Sequence, residues 1–198
     1  MKRVLATALT VATMCVIGGD SKPPIHADEV EFSLISYLET HEIDSYEEFT
    51  EIIQTHSVVS TDEIDIDPEK VSYFNYAIDY DSRIVSVITM GEATYDRSQG
   101  ASNTATKSYY SESGIKQFTI SVSGTFSYTS SSCNCISKTG SFTKPIYSLW
   151  TSTPSLTSGH INAGKAYAKI YGTATNSVNT RSYSLTLTCD TSGNFTSY

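Results

Sequence analysis

Apolar and polar residues alternate strictly along residues 118–128. The even positions hold an aromatic, aliphatic or glycine residue, and serine or threonine fills every odd position between them. A period of two is typical of a long β-strand with one face in a core and the other in water. The pattern therefore predicts a strand here. Gly124 interrupts the apolar face and predicts a bulge or a bend.

The same alternation recurs elsewhere in 71–198. A strand-like segment, 104–110, is joined to the first pattern by the turn residues 111–114, which predicts a hairpin. Further strands are predicted at 71–80, 83–90, 140–150, 165–173 and 182–189. Six to eight short strands separated by turns are typical of a sandwich or a barrel. We predict a mainly β fold, an antiparallel β-sandwich that is Ig-like or jelly-roll-like.

A helical period precedes the strands. Leu34, Ile35 and Leu38 recur at helical spacing, and Ser45 with Glu48 forms a capping box before a second apolar stripe. We predict two short amphipathic helices, at about 30–41 and 45–56. The acidic connector that follows, 61–70, lacks the glycine and the glutamate that an EF-hand calcium loop requires.

Charge divides the chain at about residue 70. Residues 28–70 carry 14 Asp and Glu against one Lys, a net charge of −13, whereas 71–198 carry six against nine Lys and Arg, a net of +3. Opposite charges attract the two segments in cis. The acidic segment is therefore interpreted as a cap, a pro-region or a small docking domain. The net charge of −10 over 28–198 disfavours nucleic acid as a partner.

The first 27 residues resemble a secretory signal peptide. Lys2 and Arg3 precede an apolar run, 4–19, and Ala27 ends the segment with the small residue that a signal peptidase prefers. This predicts three parts: a signal peptide at 1–27 cleaved after Ala27, an acidic helical segment at 28–70, and a β-sandwich domain at 71–198. The mature protein is predicted to be secreted, without membrane contact. An uncleaved anchor and a lipid on Cys15 are the alternatives.

Export makes a disulfide plausible among Cys133, Cys135 and Cys189. Cys133 and Cys135 are too close in sequence to pair without strain. Cys189 therefore pairs with Cys135 or Cys133, and the third thiol stays free. The protein is then a monomer or a dimer linked through Cys133. A Cys-x-Cys pair with scattered histidines does not supply a zinc site, so no metal is expected.

Catalytic motifs are not evident in the sequence. No serine lies in a Gly-x-Ser-x-Gly frame, and His160 is interpreted as an exposed turn residue. The acidic residues of the β unit mostly lie at predicted turns: Asp79, Asp81, Glu92, Asp96, Glu112 and Asp190. A hydrolytic pair of carboxylates is a minor alternative. We expect a protein that is not an enzyme, with no catalytic residue and no cofactor.

One weak candidate for a binding surface lies in the strand at 165–173. Its even positions suit a buried face, which would leave Lys165, Tyr167, Lys169 and Tyr171 together on the other face. Such a row could stack on sugars or meet an anionic partner, although it is also typical of an ordinary solvent-facing strand. Trp150, the only tryptophan, is interpreted as a core residue.

Three stretches resemble a family of small secreted proteins of Gram-positive bacteria with a Ser/Thr-rich β domain. The stretches are 105–114, 122–128 and 185–193, and the resemblance covers about 101–195. It implies an exported β domain and no known chemistry. Members usually carry one cysteine in the middle and one near the end, which favours Cys135 as the partner of Cys189. Cys133 departs from that pattern.

These observations predict a secreted, non-catalytic protein with a binding or cell-surface interaction role. Its partner is unknown, with a cell-wall glycan and another protein as the candidates. The alternative is an antagonistic polypeptide, similar to a bacteriocin or a toxin, in which 28–70 is a pro-region.

Overall fold

The computed structural model describes residues 32–56, 67–96, 100–162 and 164–198. The chain divides into two units, Met1–Val30 and Glu31–Tyr198, and all described residues lie in the second. The predicted signal peptide, its cleavage after Ala27 and the lipid alternative at Cys15 lie outside the described residues, as does most of the acidic connector.

The second unit contains two short helices followed by strands. The helices are α1 (Leu34–Thr40) and α2 (Tyr46–His56). The strands are β1 (Val71–Asp79), β2 (Ile84–Gly91), β3 (Thr94–Asp96), β4 (Gly100–Ser111), β5 (Lys116–Tyr128), β6 (Cys133–Thr143), β7 (Ser155–Asn162), β8 (Lys165–Thr175), β9 (Thr180–Asp190) and β10 (Phe195–Ser197). A 3₁₀ turn, Pro68–Lys70, leads into β1.

The strands form two antiparallel sheets that pack face to face. Within the described residues, the large sheet has the order β1-β2-β4-β5-β6 with β3 paired to β4, and the small sheet has the order β10-β9-β8-β7. The main core lies between them and is formed by the inward residues of both sheets. The predicted mainly β sandwich with a preceding helical segment is confirmed.

Strand β5 shows how the alternating sequence becomes a sandwich. Phe118, Ile120 and Phe126 are completely buried in the core, as the even positions predict. A side chain at Gly124 would place its Cβ 2.5 Å from the Phe126 ring, so glycine is required there for that ring to pack. The bulge predicted at Gly124 is not present in the pairing of β5, because Gly124 is in register with both neighbours; the register shift between Thr125 and Phe126 comes from an extra residue, Ile136, in β6.

The segments around β6 and β7 differ from the prediction. The strand predicted at 140–150 instead runs over Cys133–Thr143 and is followed by Pro145, which has no N–H to donate to a ladder. Strand β7, which was not predicted, includes His160, so this residue lies in a strand and not in a turn, although it is exposed. The alternation of apolar and polar residues is weak in β7, because pairing with β8 holds this strand in place and burial of one face does not.

The helices form a third layer on the outer face of the large sheet. Ser45 Oγ accepts a hydrogen bond from the Glu48 backbone N–H at 3.1 Å, so the predicted cap of α2 is present. The apolar sides of both helices pack against the outward residues of β1, β2 and β4 in a second core. Its buried members are Leu34, Ile35, Leu38, Ile43, Tyr46, Phe49, Ile52, Val85, Val87 and Tyr110.

The shared second core bears on the expected domain organisation. The predicted boundary at 70/71 lies between an acidic helical segment and the β-sandwich domain, and residues on both sides of it belong to the compact unit Glu31–Tyr198. The physical reason is that Val85, Val87 and Tyr110 of the sheet are buried by the helices, so neither part encloses its apolar surface alone. The helical segment therefore occupies the position that a cap would take.

Candidate functional site

The outer face of the large sheet carries a regular array of hydroxyl groups beside the helical layer. Cross-strand register aligns Ser and Thr residues of β4, β5 and β6 in four rows of three. The rows are Ser102–Thr125–Ser137, Thr104–Ser123–Thr139, Thr106–Ser121–Ser141 and Ser108–Thr119–Thr143. We call these residues the hydroxyl grid. They lie opposite the buried even positions of β5, because side chains alternate between the two faces of a strand.

Neighbouring hydroxyls of the hydroxyl grid bond to each other across the strands. Thr104 and Ser123 are 2.7 Å apart between their hydroxyl oxygens, and Ser121 and Ser141 are 2.9 Å apart. A hydroxyl has one donor and two acceptor positions, so each such pair still has hydrogen-bonding capacity directed away from the sheet. The grid is thus partly pre-ordered and still able to bind a polar ligand.

Eleven of the twelve grid residues form the floor of an open trough of about 810 Å³; the exception, Ser108, is buried. Lys70, Gly91, Glu92 and Thr94 line the trough as well. The floor is made of hydroxyl side chains together with Asn103 and Gly124, so the two charges of the trough belong to Lys70 and Glu92. Chemically the site can donate and accept hydrogen bonds over an extended neutral surface, and the floor offers no acid or base.

The predicted Tyr/Lys row lies on the other sheet. Lys165, Tyr167, Lys169 and Tyr171 share the outer face of β8, while the alternate residues between them are completely buried in the core. The division of the two faces is therefore as predicted. The Tyr167 ring lies against Gly159 of β7, where an added Cβ would be 3.2 Å from the ring. The structure brings the row together, and its binding role stays a prediction.

The other residues that the sequence analysis named as candidates make contacts that are typical of structural roles. Trp150 is buried in the main core, and its Nε1–H donates to Gln117 Oε1 at 3.1 Å. His160 contacts the Asn134 side chain of β6. Among the acidic candidates, Asp79 pairs with Arg181, and Glu112 pairs with Arg83. Within the described part of the chain, no group of three or more metal-ligating side chains is present.

The cysteines are arranged differently from the first choice of pairing. Cys133, Cys135 and Cys189 are free thiols, and the thiol of Cys189 contacts that of Cys133. Cys135 lies beside the β6 irregularity and directs its Sγ to the Ser137 carbonyl at 3.3 Å. Burial raises the pKa of both Cys189 and Cys135. The structure thus places Cys133, and not Cys135, next to Cys189.

Sequence reasoning identified one third of the hydroxyl grid, the four residues of β5. The alternation along 118–128 assigned hydroxyls to the water-facing side of β5. It did not show that β4 and β6 would align their own hydroxyls with those of β5. The available signal was the run of small hydroxyl residues at alternate positions in 102–108 and 137–143.

The fold and the site together define a helix-capped antiparallel β-sandwich with an open, neutral, hydroxyl-lined surface. Comparisons of the chain with protein-family models, with curated proteins and with solved structures found no match. None of the described helices is long and apolar enough to cross a membrane.

Proposed function

We propose that this protein is a secreted, non-catalytic binding protein whose hydroxyl grid recognises a neutral glycan of the bacterial cell surface. The observation that carries the proposal is the trough of about 810 Å³ floored by aligned Ser and Thr hydroxyls. The signal-like segment at 1–27 and the resemblance to secreted proteins support the location.

The dimensions of the hydroxyl grid suit an extended polymer. Two residues along a strand span about 6.8 Å, and neighbouring strands lie about 4.8 Å apart, so four rows on three strands cover about 20 Å by 10 Å. A glycan presents hydroxyls along its length, and each one can donate and accept. Many weak hydrogen bonds then give avidity without a deep pocket, because each net hydrogen bond contributes only about 1 kcal/mol.

Neutrality of the floor favours an uncharged ligand over a charged one. The trough has one positive side chain, Lys70, and one negative one, Glu92. Neither charge is on the floor. An anionic polymer would gain little attraction there, which makes the trough a poorer match for teichoic-acid-like or nucleic-acid chains.

The test is co-sedimentation of the purified full chain with isolated cell-wall glycan. Ser123→Arg places a long charged side chain in the centre of the floor, and Thr173→Arg makes the same change on the exposed outer face of β8. We expect Ser123→Arg to weaken binding at least tenfold and Thr173→Arg to leave it within twofold. Equal effects of the two variants, or no saturable binding of the parent chain, would overturn the proposal.

The alternative, an antagonistic polypeptide released by removal of 28–70, has less support. Its removal would expose the buried apolar residues Val85, Val87 and Tyr110 of the large sheet. Exposed apolar surface of this kind destabilises a monomer and promotes association. The packing of the helices therefore favours a permanent part of the protein over a pro-region.

We further propose that Cys133 and Cys189 form a disulfide after export. Their thiols are in contact, and an oxidising environment supplies the acceptor for the two electrons that bond formation releases. Cys135 is then the remaining thiol, and a covalent dimer would be linked through Cys135 and not through Cys133.

A further inference from the structure

A second recess lies at the edge of the sandwich, on the opposite face of the large sheet from the hydroxyl grid. It has a volume of about 390 Å³ and is bordered by β1, β2 and β4 of the large sheet and by the first half of β9. Ligand pockets typically begin at about 300 Å³, so the space is sufficient for a small molecule.

The recess exists because the two sheets differ in width. Strand β10 pairs with β9 only from Leu187 to Cys189, and the adjoining Thr186 bonds to Tyr198. Within the described residues, no strand pairs with β9 over 180–185 on that side. The inner face of β1 and β2 therefore extends past the small sheet, and the gap between them stays open.

Two cations lie close to one aromatic ring in this recess. The Arg181 guanidinium and the Lys107 Nζ each lie 5.6 Å from the centroid of the Tyr109 ring. The Arg181 side chain is only 15 % exposed, and it donates to Asp79 Oδ2 at 2.5 Å. One carboxylate thus faces two cations, which leaves a net charge of about +1 in a partly desolvated space.

In the part of the chain that the structure describes, two groups of the recess lack a hydrogen-bonding partner. Within the described residues, Lys107 Nζ has neither a hydrogen-bond acceptor nor an ion pair, and the Tyr109 hydroxyl has no partner either. Burial, and secondarily Arg181, lowers the pKa of Lys107. Holding an unpaired ammonium group in such a place is unfavourable unless a negative group compensates it.

We propose that this recess binds a small oxyanion-bearing ligand whose carboxylate, sulfate or phosphate group is held between Lys107 and Arg181. The Tyr109 hydroxyl donates to the same group. The hydroxyl of Ser86 also lines the recess; it donates to the Ala77 carbonyl and can still accept a hydrogen bond from a polar group of the ligand. The site does not depend on the glycan proposal, because it uses the inner face of the sheet.

The charges predict opposite effects for two substitutions. Lys107→Met keeps the length of the side chain and removes one of the two cations, so it should weaken anion binding at least tenfold. Asp79→Asn removes the carboxylate that competes with the ligand for Arg181, so it should strengthen binding severalfold. Lys144→Met, at an exposed position directly after β6, is the matched control and should leave the affinity unchanged.

The experiment is a calorimetric titration of the purified full chain in low-salt buffer with sodium phosphate, sodium sulfate and sodium glucuronate. Glucose, which has hydroxyls and no charge, is the neutral comparison. Tighter binding of glucuronate than of the inorganic ions assigns the site to a hydroxylated carboxylic acid. Tighter binding of phosphate or sulfate assigns it to a tetrahedral oxyanion, and both results support the proposal.

Folding of each variant is checked by circular dichroism and by its thermal midpoint. The proposal is overturned if no anion gives a saturable signal with the parent chain. It is also overturned if saturable binding is unaffected by both Lys107→Met and Asp79→Asn, because the anion then binds elsewhere. If Lys107→Met does not fold, the increase in anion affinity expected for Asp79→Asn becomes the deciding measurement.

Discussion

The thiols of Cys133 in β6 and Cys189 in β9 contact each other across the main core, although 56 positions separate the two residues in sequence. Both are completely buried, whereas Cys135 is half-buried and turned toward its own strand. Two strands from different sheets are therefore poised to be linked, at the start of β6 and near the end of β9.

Oxidation should join Cys133 to Cys189 and leave Cys135 free. In the chain-entropy model, closing a loop of this size stabilises the fold by about 4 kcal/mol. The measurement combines peptide mapping after alkylation with urea unfolding of oxidised and reduced protein. Cys135→Ser should keep the linked peptide and the added stability, and Cys133→Ser should lose both. A linked peptide that contains Cys135 would contradict the prediction.

Replacing Gly140 by alanine should destabilise the sandwich by about 1–3 kcal/mol, through overpacking. The added Cβ would lie 2.7 Å from Leu156 Cδ2 and 2.9 Å from the backbone oxygen of Ser121, and backbone cannot move away cheaply. Urea unfolding measures the change. Gly91→Ala is the control, since its nearest neighbour would be at 3.8 Å, and we expect a change within about 0.5 kcal/mol.

Truncation of Phe49 tests whether the helices and the sandwich unfold together. Phe49 is completely buried against Phe74 and Tyr110, so Phe49→Ala should cost about 3–5 kcal/mol. The fluorescence of Trp150, in the main core, should report the same shift in midpoint as circular dichroism. An unshifted Trp150 transition would show that the helical segment is a separate unit. Glu51→Ala, at an exposed position of α2, is the control.

The pH dependence of stability should include a contribution from Tyr109. Burial raises the pKa of Tyr109 to about 12, with Arg181 opposing the shift. Between pH 10 and 12 the unfolded chain loses this proton and the folded chain keeps it, so stability falls with rising pH over that window. The loss approaches roughly 2 kcal/mol at pH 12.

The Tyr109 contribution is measured by comparing parent and Tyr109→Phe unfolding free energies at pH 9 and pH 11.5. The parent should lose more stability than the variant between these two values. Tyr171→Phe, at an exposed position of β8, serves as the matched control and should follow the parent. Parallel pH profiles for the parent and Tyr109→Phe would contradict the assigned pKa.

Strong periodicity made part of the fold predictable. The strands containing 118–128 and 182–189 were correctly placed, because their alternation reflects burial of one face in the main core. The capping box at Ser45 and Glu48 located the start of α2, because capping is a local interaction. Strand β7 escaped detection because it has few buried residues and is held mainly by hydrogen bonds to β8.

Partner choice among the cysteines was not predictable from spacing. Cys133 and Cys135 lie two positions apart on the same strand, so the sequence treats them as equivalent candidates. The irregularity of β6 turns Cys135 toward Ser137 and leaves Cys133 next to Cys189. Such a bulge depends on pairing with β5, which is a property of two strands and not of one.

The sequence by itself determined which residues face inward on the strongly alternating strands, such as β5 and β9, because a period of two follows from the geometry of a single extended chain. It also determined the helical segment and its acidity. Only the tertiary structure decided the register that aligns hydroxyls of three strands into one grid. The tertiary structure also decided that the two sheets differ in width, and this difference opens the recess at Lys107 and Arg181. Both depend on contacts between residues far apart in sequence, which no local pattern encodes.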